Sequence, residues 1–249
     1  MNKKYEFTGE TKEFNGRILR RIRRIEDDLV GGWIESEENL SQGGNCFVHD
    51  EGMVYGNAKI CGNAIVFSYA TVYDNAKVYD DAWIYGNAEV FGNAEVFGNT
   101  AVYGNVKVFS YAEIYGCARV YDNARVYGNA RVHGNAVIYG GAEICGNARV
   151  RDCARVYGSA IVHNGEIIGR VSQLYKDIFQ HQCEKRVLTA ILTEDDKILY
   201  TIGCQSNITK EQFLDRIYNT DGGLENNPHR EEYLRLIPAI EMYFGKQIK

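Results

Sequence analysis

Histidine is the side chain that most often transfers a proton near neutral pH, and two histidines lie beyond the first coil of a long repetitive stretch of this sequence. His133 and His163 each stand where the neighbouring units carry Tyr or Phe. No carboxylate is fixed beside either of them by its sequence position, and the period of the stretch places them on different faces. The sequence therefore predicts surface histidines and no catalytic residue.

Cysteine is the second residue type here that is capable of chemistry. The chain contains seven cysteines, an odd number, and its first residues do not resemble a secretory signal peptide, which favours reduced thiols in the cytoplasm. Cys117 and Cys153 lie 36 residues apart. That is two turns of the repeat, about 9.6 Å, too far for a disulfide or a shared metal ion. The sequence predicts no metal site and no cofactor.

Arginine is concentrated in one N-terminal segment, where five arginines occur within eight residues. Four of them are candidates for contact with an anion or a nucleic acid: Arg20, Arg21, Arg23 and Arg24. The alternative is a solvated strand edge whose arginines pair with nearby acids such as Asp27 and Asp28. The segment Ile18–Ile25 fits a strand, and its isoleucine spacing also fits a short helix.

A six-residue repeat dominates the chain from Val48 to Ile168. Every sixth residue from Val54 to Val162 is Val or Ile, nineteen in all, and Ala usually stands two residues before it. Val and Ala suit an inward-facing position, and the Gly-Asn that commonly follows suits a turn with positive φ. Three units make a coil of 18 residues, and coils stack at about 4.8 Å. The repeat predicts a parallel β-helix of about seven coils.

Residues that are 18 apart share a face, so the outward residues sort into three faces of two columns each. Face A carries Lys59, Lys77, Glu95, Glu113, Arg131 and Arg149 beside Cys61, Tyr79, Phe97, Tyr115, His133 and Arg151. Face B carries Thr71, Glu89, Lys107, Arg125, Glu143 and Ile161 beside Tyr73, Phe91, Phe109, Tyr127, Cys145 and His163. Face C carries Ile65, Trp83, Ala101, Arg119, Val137 and Arg155 beside Phe67, Tyr85, Tyr103, Tyr121, Tyr139 and Tyr157.

Face C has the composition of an interface core, because Tyr, Trp and Arg are enriched at binding hot spots. The predicted partner-binding residues are Phe67, Trp83, Tyr85, Tyr103, Arg119, Tyr121, Tyr139, Arg155 and Tyr157. Two alternatives remain open. The aromatic column serves only to stabilise the sheet, or the C-terminal segment folds back and covers it.

The unit Ala-x-Val-Tyr-Gly-Asn, entered through Gly-Gly-Trp-Ile-Glu-Ser-Glu-Glu-Asn-Leu-Ser, resembles the hexapeptide repeat of left-handed parallel β-helix proteins. It is most similar to an uncharacterised group, common in bacteriophages and bacteria, that is labelled polymer-forming or putative transferase. The likeness covers about residues 17–168. It implies a left-handed coil. It also implies an alternative activity, acyl transfer from a CoA thioester by a trimer with a histidine base at the subunit interface.

The two ends of the chain depart from the repeat. Residues 1–47 are predicted to form a hairpin and a cap, with Trp33, Ile34 and Leu40 covering the open end of the β-helix at 48–168. Residues 169–249 are predicted to form a small α+β module that closes the other end or contacts a target. Its predicted elements are a hairpin of Val187–Thr193 and Ile198–Cys204 and helices at Lys210–Asn219 and Arg230–Phe244.

The overall charge limits the classes of partner. The net charge is −5, with neither a broad basic surface nor a stretch of about eighteen apolar residues. We therefore expect a cytoplasmic, non-enzymatic scaffold that binds a protein or itself as a dimer or trimer. Nucleic acid is expected only at the arginine cluster, and no membrane partner is expected. Resemblance to phage proteins suggests an inhibitor of a host defence complex, of the anti-CRISPR kind. A CoA-dependent acyltransferase and a self-associating structural protein are the alternatives.

Overall fold

The predicted β-solenoid is confirmed. The computed structural model describes residues 3–158, 160–163, 166–169, 174–183, 186–193, 197–202, 205–218 and 230–245. Short parallel strands pair with the strands 18 residues away, so that Trp83 lies beside both Ile65 and Ala101. The six-residue repeat thus builds three sheets, one for each face, and the chain winds through them in about seven coils.

The strands follow the three faces. The sheet of face A contains Lys59–Ile60, Lys77–Val78, Glu95–Val96, Glu113–Ile114, Arg131–Val132, Arg149–Asp152 and Glu166–Gly169. The sheet of face B contains Tyr5–Phe14, Arg17–Arg24, Val30–Ile34, Met53–Val54, Thr71–Val72, Glu89–Val90, Lys107–Val108, Arg125–Val126, Glu143–Ile144 and Ile161–Val162. The sheet of face C contains Phe47–Val48, Ile65–Val66, Trp83–Ile84, Ala101–Val102, Arg119–Val120, Val137–Ile138, Arg155–Val156, Leu174–Cys183, Arg186–Thr193, Ile198–Ile202 and Gln205–Ile208.

The corners of the coil explain the Gly-Asn pairs. Gly104 has a φ of +82°, and a Cβ at this position would lie 2.7 Å from the backbone oxygen of Asp122 in the next coil. Asp122 occupies the equivalent position with a φ of 62°, and its carboxylate accepts a 3.1 Å hydrogen bond from the amide of Gly140. Gly104 therefore lacks a side chain where the next coil is close, and Asp122 uses its side chain to bind the following coil.

The N-terminal segment completes the first coil and closes its end. Ile34, Leu40 and Val48 are fully buried, and each lies in parallel register with a residue of the first regular coil. Ile34 and Leu40 therefore pack inward, into the solenoid core. Trp33 is also buried, but it lies in the outward column in register with Met53 and packs against Leu19 and Tyr55 outside the coil. Parallel pairing begins within residues 1–47, and a single 3₁₀ turn, Glu37–Asn39, interrupts it.

The arginine-rich segment forms a strand, which is the first of the two predicted conformations, and not a short helix. Arg17–Arg24 pairs antiparallel with Tyr5–Phe14 and extends the sheet of face B beyond the first coil. It has the eight residues expected for Ile18–Ile25 but begins one residue earlier. Tyr5 belongs to the solenoid core, and its hydroxyl donates a 2.8 Å hydrogen bond to the carbonyl of Leu40.

The C-terminal module continues the sheet of face C and has a core of its own. Leu174–Cys183, a strand that we did not predict, pairs parallel with Arg155–Val156. The predicted hairpin is confirmed as Arg186–Thr193 and Ile198–Ile202; Cys204, its predicted end, lies outside the described residues. Leu199 packs into the solenoid core, which supports the prediction that this module closes the distal end.

Two helices pack on the other side of these strands. They span Lys210–Tyr218 and Arg230–Tyr243, and Asn219 lies outside the described residues. Thr209 caps the first helix through reciprocal hydrogen bonds with Gln212 of 3.3 and 2.9 Å. Among the described residues, no helix combines the length and apolar character needed to cross a membrane.

Candidate interaction surface

All three faces carry a ladder of stacked aromatic rings. On face C, the rings of Tyr85 and Tyr103 are 4.7 Å apart and within 5° of parallel. Face A matches this with Tyr79 and Phe97 at 4.8 Å, and face B with Phe91 and Phe109 at 5.0 Å. Such cross-strand contacts stabilise any sheet. The aromatic column by itself therefore does not distinguish face C from the other two.

The outward column beside each aromatic ladder distinguishes face C from faces A and B. On face A, Lys77 pairs with Glu95 at 2.8 Å, and Glu113 pairs with Arg131 at 3.1 Å. Face B repeats the pattern: Lys107 pairs with Glu89 at 3.0 Å, and Arg125 with Glu143 at 3.5 Å. Each pair joins adjacent coils, so most cations on these faces are neutralised by the protein itself.

The carboxylates of faces A and B also bind hydroxyls of the ladders. Tyr79 donates a 3.1 Å hydrogen bond to Glu95, and Tyr127 donates one of 3.0 Å to Glu143. Burial, followed by the bond to Glu95, raises the pKa of Tyr79 to about 12. On these two faces the outward polar groups largely satisfy one another and leave few groups for a partner.

Face C has no such carboxylate. Between Ile65 and Tyr157 neither of its columns contains Asp or Glu. Arg119 and Arg155 are exposed and make no ion pair with any residue that the structure describes. Trp83 is 50% exposed, although the ring of Phe67 packs edge-on against it with 6.3 Å between centroids.

The C-terminal module extends the sheet of face C along its axis. Its strands continue from Arg155–Val156, and Trp83 and Arg119 stay exposed to solvent. The alternative in which this segment folds back over the whole face does not fit these exposures. Of the predicted partner-binding residues, the ladder members are partly exposed and Trp83, Arg119 and Arg155 are exposed.

Contacts within the protein already engage the arginine cluster. Arg21 binds Glu51 at 3.0 Å, and its guanidinium lies 4.9 Å from the centre of the Trp33 ring. Arg24 binds Asp27 at 2.6 Å. The hydrogen bond to Arg24 is the main cause that lowers the pKa of Asp27 to about 2.

The remaining members of the cluster are engaged in the same way. Arg23 pairs with Glu6 and with Asp28, and Arg20 donates a 3.1 Å hydrogen bond to the carbonyl of Glu35. Asp27 and Asp28 were expected partners, whereas Glu6 and Glu51 are distant in sequence and were missed. These contacts favour the structural role of the cluster; contact with an external anion stays a prediction.

The sequence interpretation missed a contact between a thiol and an imidazole. The Cys145 sulfur lies 3.3 Å from Nδ1 of His163 on face B, and the signal for it was their 18-residue separation. Cys145 is only 3% exposed, and burial raises the pKa of its thiol. A thiol that stays protonated near neutral pH is a weak nucleophile.

The other candidates for chemistry are dispersed. His133 lies on face A, stacked on Tyr115 at 4.6 Å, so the two histidines do occupy different faces as predicted. Within the described part of the chain, no three His, Cys, Asp or Glu side chains are arranged to hold a metal ion.

Comparison with known families agrees with the fold. A family model described as the YdcK beta solenoid repeat matches residues 118–134 and 124–140. No curated protein is significantly similar to the chain. The matched residues carry the same Ala-x-Val-Tyr pattern that builds the coils. The chain is thus similar to this beta-solenoid repeat, a family that implies no particular catalytic activity.

Proposed function

We propose that the protein is a non-enzymatic scaffold that binds another protein through face C. One observation carries the proposal: faces A and B neutralise most of their cations with glutamates from adjacent coils, and face C has no such glutamate. Face C thus combines exposed aromatic area with uncompensated arginine. Tyr, Trp and Arg are the residue types that are enriched at the hot spots of protein interfaces.

The rigidity of the face supports the same conclusion. Its ladder runs from Phe67 to Tyr157 with successive rings 4.7 to 5.1 Å apart. Stacking restricts each ring in the unbound protein. Binding therefore requires little further ordering of these side chains, which is a main cost of association.

Narrower proposals rest on the resemblance of the repeat. They are a left-handed hexapeptide coil and a phage-encoded inhibitor that docks on a host defence complex in the cytoplasm. Acyl transfer has less support, because His133 and His163 lie on separate faces and the regular step extrudes no loop between Val54 and Val162.

A photo-crosslinking experiment tests the proposal. A benzophenone amino acid is placed at Ile65 on face C, Lys107 on face B or Glu95 on face A, three outward and partly exposed positions of the solenoid. Irradiation in lysate of the cell that naturally contains the protein is expected to give a discrete adduct from Ile65 alone. Equal labelling at all three positions would contradict a role for face C.

A separate assay addresses the enzyme alternative. The purified protein is incubated with acetyl-CoA and pooled amine and hydroxyl acceptors, and free CoA is measured. We expect no release above background. Release that disappears in His163→Ala or His133→Ala would overturn the non-enzymatic part of the proposal.

A further inference from the structure

The first outward column of face C contains a notch. Trp83 and Arg119 both lie in register with Ala101, one on each side. Strands in a sheet are about 4.8 Å apart, so two large side chains stand about 9.6 Å apart with a single methyl group between them. Tyr103, two residues after Ala101, lies beside it in the second column. A small residue among Trp, Arg and Tyr has the residue composition of an interface hot spot.

Beyond the notch, the face becomes cationic. Arg119 and Arg155 lie two coils apart with Val137 in register between them. Backbone amides of the next coil already bind two of the carboxylates at the corners of this face. Asp80 accepts a 3.2 Å hydrogen bond from Gly98, and Asp122 one from Gly140. Among the residues that the structure describes, no carboxylate neutralises the two arginines.

We infer that face C docks an acidic protein segment, with an apolar side chain in the notch at Ala101 and carboxylates on Arg119 and Arg155. The inference rests on the proposed function and adds the chemistry of the partner to it. Trp83 supplies apolar area at one end of the site. The two guanidinium groups supply charge-assisted hydrogen bonds at the other.

A second copy of the chain fits this surface poorly. In a two-fold symmetric contact the same patch meets itself. Arg119 and Arg155 would then face a surface that has no Asp or Glu in either column between Ile65 and Tyr157. Both copies would desolvate their arginines without gaining a counter-charge, which is costly.

Nucleic acid fits it poorly as well. A protein that tracks a phosphate backbone presents many cations along one surface. Face C offers two, between Trp83 and other apolar side chains, on a protein with a net charge of −5. The apolar notch matches a leucine or aromatic side chain better than a phosphate.

A displayed library of random linear peptides provides a defined probe. The full chain is the bait, and Ala101→Arg, which fills the notch from an outward position, is used for counter-selection. We expect the enriched peptides to combine Asp or Glu with an apolar residue. Their affinity is expected to fall by at least about tenfold on Arg119→Glu. The matched control, Lys59→Glu, makes the same change of charge in the same slot on face A and is expected to keep the affinity.

The outcomes separate the two proposals. Enrichment of neutral or basic peptides that still require the notch would overturn the acidic partner and leave face C as a protein-binding surface. No enrichment against Ala101→Arg would overturn both. Preferential binding of an oligothymidylate probe, or self-association that Arg119→Glu abolishes, would also overturn the acidic protein partner. Circular dichroism confirms that each variant is folded.

Discussion

Face B and face C are built on the same solenoid and differ in one column of side chains. Both bury one Val or Ile in each coil, and both stack aromatic rings about one strand spacing apart. Face B adds Lys107 and Glu89 in an ion pair, whereas face C places Ala101 and Trp83 at the corresponding positions. The shared features maintain the fold. The column in which they differ is free of that constraint, so it is where a binding function can be encoded.

The largest expected effect separates inward from outward positions on one strand. Val102 is fully buried, so Val102→Asp places an unpaired carboxylate in the core and should cost about 4 kcal/mol or more. Ala101→Asp, one residue away on the surface, should change the free energy of unfolding by less than about 1 kcal/mol. Urea denaturation followed by circular dichroism measures both. Similar losses in the two variants would show that face C is not an outer surface.

The second prediction concerns the ladders. Tyr103→Ala on face C, Phe97→Ala on face A and Phe109→Ala on face B each remove a ring that stacks on both sides. Each should cost about 2 kcal/mol, from lost apolar burial and lost ring contacts. Unfolding midpoints of the three variants should therefore agree. If only Tyr103→Ala were neutral, stacking would not be a common feature of the three faces.

The third prediction uses pH, because only faces A and B carry glutamates in the coils. The hydrogen bond from Lys77 is the main cause that lowers the pKa of Glu95, while burial acts in the opposite direction. Its stabilising contribution is therefore complete above the pKa of an unfolded glutamate and is lost as pH falls through the lower folded value. Stability should decrease less between pH ~7 and ~3 in Glu95→Gln than in the parent chain. An identical decrease in both would contradict the assignment.

The smallest expected effect compares two arginines. Arg125→Gln on face B breaks a pair with Glu143 and should cost about 0.5 kcal/mol in low salt. Arg119→Gln on face C breaks no ion pair with a described residue and should leave the free energy of unfolding unchanged. Thermal unfolding at low and high ionic strength measures the difference. A salt-dependent loss in Arg119→Gln would reveal an intramolecular partner.

The sequence predicted the solenoid, its 18-residue register, the membership of each face and the burial of Trp33, Ile34 and Leu40. All of these follow from a strict period or from local composition. It did not predict the partners of Arg21 and Arg23, because Glu51 and Glu6 reach them only after the N-terminal strands have paired. Leu174–Cys183 was missed because the period has ended there and no turn residue marks the strand.

For the candidate surface, the sequence identified face C by its low charge and its aromatic column. The aromatic column did not distinguish face C, because faces A and B carry aromatic ladders too. The missing carboxylates were the better signal. The importance of the missing carboxylates follows from the ion pairs of Lys77 with Glu95 and of Lys107 with Glu89. Residue spacing places these side chains on adjacent coils but does not determine whether they touch.

Because of the 18-residue register, the solenoid can lengthen or shorten only in steps of one coil. Loss of residues 92–109, one whole coil, joins Phe91 to Ser110 and keeps every inward residue on its six-residue step. The same loss removes Ala101 and brings Trp83 directly beside Arg119. The loss of one coil thus preserves the core and removes the notch. The loss of a single residue instead moves every later Val or Ile away from its inward position. The fold therefore accepts deletions or insertions only as whole coils, and each of them changes the residues on the outer surface.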